Sequence, residues 1–252
     1  MNLLSKTKAK ELGGLVSKKK RDLHSLFIAE GEKCVRDLLG YFKLYCLVCT
    51  LDYYTLHEDE LKRYVREILI SDRKGLELIS SLNSVPDLIA VFYKPENEIK
   101  AENLDKNKLY LLLDEIQDPG NLGTIIRTCD WFGVYDIFAS PNSVDVYSPK
   151  VVQATMGSLS RVKVNYVDLK ALIEQNPEMD VTGTFLEGEN ILKKGMKPSG
   201  FLIMGNEGRG ISDDLKKMIK NKVTIPPQNE SRHPDSLNVA IATAILLSHI
   251  KT

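Results

Sequence analysis

Three pieces of one stretch decide how this chain is read: FLIMGNEGRGIS at 201–212, VTIPP at 223–227 and DSLNVAIATAILLSHI at 235–250. Phe201 to Met204 is an unbroken apolar run closed by Gly205, the pattern of a strand covered on both faces and followed by a tight turn. Gly205, Gly208 and Gly210 allow positive φ and a close approach of backbone to a ligand. A glycine turn after a parallel strand is where open α/β sheets bind nucleotides and related cofactors. GNEGRG is neither a dinucleotide fingerprint nor a phosphate loop, since no GKS or GKT follows it. A short basic helix and the strand VTIPP come next, and then a last helix, Leu237 to Ile250, that is apolar on nearly every face. Asp235 or Ser236 is its expected cap. Ser236 and Asn238 are polar groups confined to the mouth of an otherwise apolar element, which marks either a simple cap or a binding site.

The chain has 252 residues, 43% of them apolar and 27% charged, enough to bury one large core or two ordinary ones. It contains no run of membrane-spanning length, and MNLLSKTKAKELGG lacks the apolar core of a signal peptide. A cytoplasmic protein is expected, a compartment that suits four reduced cysteines. Cys46 and Cys49 form a CxxC inside the strand-like KLYCLVCTL. Alternate side chains of a strand face opposite sides, so that pair is read as structural. No His, Cys and carboxylate set has metal-ligand spacing, and no metal is expected.

Net charge is zero, 34 basic against 34 acidic residues, so nucleic-acid affinity would have to come from a local patch. The first 22 residues carry Lys6, Lys8, Lys10, Lys18, Lys19, Lys20 and Arg21 against Glu11 and Asp22. That cluster is either such a patch or a solvated helix face.

Strands and helices alternate over residues 1–94. Helical sequence up to FIAEG is followed by the helix EKCVRDLLG, the strand LYCLVCT, a helical Tyr64–Ile70, a turn with a short helix over Ser71–Ser81, and the strand LIAVFYK. The expected unit is a small α/β domain. PENEIKAENLDKNK, 95–108, reads as a linker. A second domain, 109–252, opens on the strand Leu109–Ile116. A sharp turn at Pro119-Gly120 and a helix capped by Asn121 and ending at Gly133 follow. IFAS and RVKVNYV are further strands, with the helix KVVQATMGSLS between them. Arg127 lies among Ile125, Ile126 and Cys129, either snorkelling to the surface or held as a fixed cation for a phosphate or a developing anion. Glu207 is its possible partner. His233 is the one histidine near the candidate site.

DEIQDPGNLGTIIRTCDWFG, FLIMGNEGRGIS and IPPQNESRHPDSLNVAIATAILL together resemble, in order and separation, the three motifs of the SpoU/TrmH-type RNA ribose 2′-O-methyltransferases of the SPOUT superfamily. SPKVVQATMGSLSRV and VTGTFLEGENI match the pattern between them. KKKRDLHSLFIAEGEKCV resembles the small amino-terminal RNA-binding domain that many of these enzymes carry. The resemblance implies a trefoil-knotted parallel-sheet methyltransferase domain, S-adenosylmethionine bound in the knot and a homodimer through the second domain. It matches Asn121, Arg127, Glu207, Ser236 and Asn238 to the family's motif residues, with Arg127 at the reacting hydroxyl and Glu207 and Asn121 orienting it. It further implies cofactor contacts at Thr184, Met204, Gly205, Asn206 and Gly208, and at Ile225, Pro227, Ser236 and Leu237. RNA contacts are expected at Lys18, Lys19, Lys20, Arg21 and Arg127.

One departure is plain: where the family reads IPM and a short loop, this chain has IPP and the longer NESRHPD. The implied activity is methylation of a ribose 2′-hydroxyl in structured RNA, ribosomal RNA ahead of transfer RNA because of the separate first domain. Two other readings stand beside it. A non-catalytic RNA-binding assembly factor on the same fold is opposed by the presence of all five motif residues. An ordinary nucleotide-binding enzyme is opposed by the missing fingerprint.

Overall fold

The computed structural model describes residues 2–64, 67–95, 104–229 and 234–250, with Tyr64 described in its backbone alone. Two compact units emerge, one of Met1–Asn97 with Asp145–Ser160, the other of Glu98–Val144 with Arg161–Thr252. In the first, β1 (Asn2–Leu3), β2 (Leu26–Glu30), β3 (Leu44–Cys49), β4 (Ile68–Ile70) and β5 (Leu88–Tyr93) form a sheet ordered β1-β4-β3-β5-β2. β1, β4 and β3 run parallel, whereas β5 is antiparallel to both β3 and β2. Every residue of β2 and β4 is buried, as their continuous apolar runs require. Ile68–Ile70 overturns the expected helix over Tyr64–Ile70; the helix there is Leu51–Tyr64, and three apolar residues in a row fit either period. Cys46 and Cys49 are buried free thiols, pushed up to about 12 and about 11 by desolvation, and so are inert in the folded chain.

The second unit holds six parallel strands, β6 (Leu109–Leu113), β7 (Asp136–Ala139), β8 (Lys163–Tyr166), β9 (Val181–Asn190), β10 (Gly200–Met204) and β11 (Asn221–Thr224), ordered β11-β9-β10-β6-β7-β8. The chain winds outward from β6 through β7 to β8, then resumes on the other side, so the order reverses between β6 and β10. That reversal opens a crevice beyond the strands' carboxyl ends, where open α/β sheets take their ligands. Tyr110 and Leu112 of β6 and Phe201 and Ile203 of β10 lie buried in one core with Phe138 and Val181. Among the described residues no helix is long and apolar enough to cross a membrane. None of their His, Cys, Asp and Glu side chains group in a way that could hold a metal ion.

Asp145–Ser160, which the sequence reading placed in the second domain, packs within the first unit, and the reason is visible at Arg21. This side chain was expected to grip RNA, but it is 2% exposed. Its guanidinium donates to Asp145 Oδ2 at 2.9 and 2.6 Å and to the Leu15 and Val16 carbonyls at 2.8 and 2.7 Å. Tyr147 adds a ring contact on Phe27, with centroids 4.9 Å apart. The fork of Arg21 is thus fully used inside the unit. Removing one partner of a buried, hydrogen-bonded pair strands the other charge, at a typical cost of about 3–5 kcal/mol. Arg21→Ala should therefore lower the urea midpoint of the unit strongly, and Arg21→Lys should recover only part of it; a midpoint equal to wild type would show the pair to be energetically idle.

Candidate functional site at the sheet's reversal

Beside the carboxyl end of β10, between β9, β11 and the last helix, lies an open cavity of about 930 Å³, within the range of small-molecule sites. Three stretches wall it: 184–188 within β9, 204–211 at and after the end of β10, and 222–225 along β11. The turn into the last helix completes it with Asp235, Ser236 and Leu237, and Val239, Ala242 and Leu246 face it from the helix. Of the nine residues expected at the cofactor, Thr184, Met204, Gly205, Asn206, Gly208, Ile225, Ser236 and Leu237 line this cavity. Pro227 is exposed and is not among the lining residues. His233 lies outside the described residues, as does most of the expected linker.

The glycine turn has a definite architecture. Asn206 and Gly210 exchange backbone hydrogen bonds at 3.0 and 2.9 Å, closing the loop on itself. A Cβ at Gly205 would come within 2.3 Å of Gly210 C and Ile211 N, so only glycine lets the two ends of the loop meet. Gly210 adopts φ +69° with open space where a Cβ would be. The Asn206 side chain is spent on the loop: its Oδ1 accepts from Gly208 N and Arg209 N at 3.0 Å, and its Nδ2 donates to Glu115 O at 2.8 Å.

Glu115, which the sequence reading did not single out, is the anchor. It holds φ +58°, a left-handed conformation rare outside glycine and the Asn/Asp class. In this conformation its carbonyl meets Asn206 while its carboxylate pairs with Arg209 at 2.5 Å and accepts from Asn142 at 3.3 Å. Buried Asp114 accepts from Ser212 N at 2.7 Å, fixing the far end of the loop to β6. The acidic pair DE directly after an apolar strand was the only local signal for these two.

Three motif residues meet through one chain of hydrogen bonds. Glu207 accepts from Asn121 Nδ2 at 3.0 Å, and from the Gln117 and Asp118 backbone amides at 3.5 and 3.4 Å. Asn121 Oδ1 in turn accepts from Asn238 Nδ2 at 2.8 Å. The roles at the helix starts differ from those expected. Asp118, not Asn121, caps the Pro119–Trp131 helix, accepting from Asn121 N at 2.8 Å with proline in the first turn. Asn238, not Asp235 or Ser236, caps the last helix, Val239–Ser248, accepting from Ala240 and Ile241 amides at 2.9 and 3.2 Å. Because Asp118 takes the cap, the Asn121 amide is free to bridge Glu207 and Asn238.

Arg127 stands apart. It is exposed and makes no hydrogen bond or ion pair among the described residues, so the expected pairing with Glu207 is not made within this chain. Six residues beyond Asn121 on the same helix, it points roughly 120° away from it. Ser236 is exposed at the cavity, and its hydroxyl has no hydrogen bond among the described residues. In the first unit Lys18, Lys19 and Lys20 are exposed on the Lys18–His24 helix, free to meet an anion as Arg21 is not.

The cavity fits S-adenosylmethionine by the chemistry of its walls. Met204, Ile211, Val223 and Leu246 give apolar lining suited to a purine, charged side chains share the lining, and Gly210 leaves room against the backbone. Residues 108–248 match the SpoU rRNA Methylase family. The 23S rRNA (guanosine(2553)-2'-O)-methyltransferase of Bacillus subtilis is 28% identical over 247 residues, covering 97% of this chain and 96% of its own length. A solved TrmH-family structure from Porphyromonas gingivalis superposes with a TM-score of 0.86 at 34% identity, covering 98% of each chain. The AdoMet-bound rRNA methyltransferase of Sinorhizobium meliloti gives 0.84 at 28% identity over 99% of this chain and 95% of its own. Glycine loop, asparagine bridge and cavity all fall inside the matched segment, and this chain belongs to the SpoU rRNA methylase family.

Proposed function

We propose that this protein transfers a methyl group from S-adenosylmethionine to a ribose 2′-hydroxyl of ribosomal RNA, in the cytoplasm. The observation that carries the reading is the Glu207–Asn121–Asn238 chain, which joins the glycine loop and the starts of two helices at the rim of the cavity. A nucleotide-binding enzyme of the ordinary kind would have no use for that bridge in place of a phosphate loop.

Bound in the cavity, the cofactor supplies an electrophilic methyl on a sulfonium centre. The chain's own residues do the rest. The glycine loop and the turn before Asn238 hold the adenosyl part, chiefly through backbone. Arg127 does not act as a base, because a guanidinium stays protonated; it stabilises the ribose oxygen as negative charge builds, and the proton leaves to a phosphate or to water. Glu207 and Asn121 keep the loop and the helix start in register, so that the hydroxyl meets the methyl in an attack geometry. Ser236 and Asn238 shape the wall beside it.

The first unit is the substrate-binding part, with Lys18, Lys19 and Lys20 contacting phosphates. The second unit carries the trefoil knot expected of the family. In support of it, Met196 N donates to His249 O at 2.9 Å, which brings the end of the chain back beside the segment after β9. It also forms the homodimer. Ile125 and Ile126 are fully buried, but Trp131 is 85% exposed and Phe132 37% at the end of the Pro119–Trp131 helix, and Ile241 is 52% exposed near the start of the last helix. Large apolar side chains left in water are what a self-complementary interface covers. Arg127, unpaired among the described residues of its own chain, then serves the cavity of the other copy.

Arg127→Ala should cut transfer of labelled methyl to ribosomal RNA by about 10²–10³ while AdoMet affinity in calorimetry stays within a few fold. Near-normal turnover would remove Arg127 from the chemistry. Wild type should sediment at twice the 28.4 kDa chain mass, and Ile241→Glu should shift it toward one chain with loss of activity; a monomeric, fully active wild type would contradict the dimer.

A further inference from the structure

Three cations line the cavity, and two of them are already committed. Arg209 pairs with Glu115 at 2.5 Å and Lys216 with Asp213 at 2.9 Å. Lys222, on β11, has no hydrogen-bond or ion-pair partner among the described residues. Its ammonium instead lies over the Phe185 ring, 5.1 Å from the centroid, and Phe185 is itself part of the cavity wall. A cation on an aromatic face keeps its remaining hydrogens available to an anion while the ring restrains the side chain. The carboxylates of the lining sort in the same way. Glu207 is held by Asn121 and two backbone amides, whereas Glu187 and Asp235 have no partner among the described residues. Among the described residues the cavity therefore presents one uncommitted positive charge and two uncommitted negative ones.

That balance is the complement of a methionyl sulfonium, which brings one carboxylate, one ammonium and one sulfonium. We propose that Lys222, restrained on Phe185, is the binding residue for the carboxylate of the cofactor's methionine, and that it selects for a cofactor carrying one. The inference rests on the methyltransferase reading and goes beyond it, since backbone contacts to the adenosyl part do not distinguish cofactors by their tails. A lysine ammonium meeting a carboxylate makes a charge-assisted hydrogen bond. Exposure of Lys222 on the outer strand limits its worth to about five- to tenfold in affinity. The same exposure means that its replacement disturbs no core.

The test is calorimetry on the full-length protein with two probes, S-adenosylmethionine and its decarboxylated form, which keeps the adenosyl group, the sulfonium and the amine. Wild type should bind S-adenosylmethionine about five- to tenfold more tightly than the decarboxylated probe. In Lys222→Ala the two affinities should converge, through loss for S-adenosylmethionine alone, and Lys222→Arg should restore most of the difference. Unchanged melting temperatures would show that the variants are folded. The proposal is overturned if Lys222→Ala weakens both probes equally, or neither, or if wild type does not distinguish them. Failure of wild type to bind either adenosyl probe would overturn the cofactor reading as well, so the two claims fail in different ways.

Discussion

The second unit depends on one short hydrogen-bonded chain, Glu207 to Asn121 to Asn238, that ties together segments more than a hundred residues apart at their extremes. Each link is made by a side chain at the start of a helix or inside a glycine loop, where backbone groups are short of partners. Asparagine suits the central position because its amide donates to a carboxylate on one side and accepts from a second amide on the other. A carboxylate there would repel Glu207, and a hydroxyl could not span both. The bridge holds the loop and the two helix starts in place so that a ligand meets a formed wall.

The bridge works because the sheet supplies a fixed floor. Reversal of strand order between β6 and β10 sends their two exits, 114–118 and 205–210, out of adjacent strands side by side. Contact between those exits is then made by side chains on main chain, Asn206 Nδ2 donating to the Glu115 carbonyl and Asp114 accepting from Ser212 N, while Gly205 lies against Gly210 within the loop. Left-handed Glu115 is the strained element of the set, and the ion pair to Arg209 is part of what compensates it. Asp114, Glu115 and Arg209 are spent on these contacts, whereas Lys222 stays available for discrimination.

Much of this was legible in the residues. FLIM and LYLLL read as buried strands because nothing polar interrupts them, and three glycines in six positions could mean little but a close turn. The motif residues were legible as a set through their likeness to a family. Harder were choices between neighbours of similar chemistry. Asp118 and Asn121 can both cap a helix, and only the three-dimensional course of the chain shows that Asp118 does so and frees Asn121. Asn238 outcompetes Asp235 and Ser236 for the same reason. Arg21 read as part of a basic patch because its partner, Asp145, lies 124 residues away. That same contact draws Asp145–Ser160 into the first unit, which no local pattern could announce. The apolar stripe of the helix after Asn121 does not say whether Ile125 and Ile126 meet their own sheet or another chain, and the fold buries both.

Chemistry on ribosomal RNA is tested most directly by a mass-spectrometric map of ribose methylation with and without the gene. Deletion should remove one 2′-O-methyl group from ribosomal RNA, and the wild-type gene, but not one encoding Arg127→Ala, should restore it. An unchanged ribosomal map would contradict the account, and a methyl lost from transfer RNA in its place would leave the chemistry standing on a different substrate.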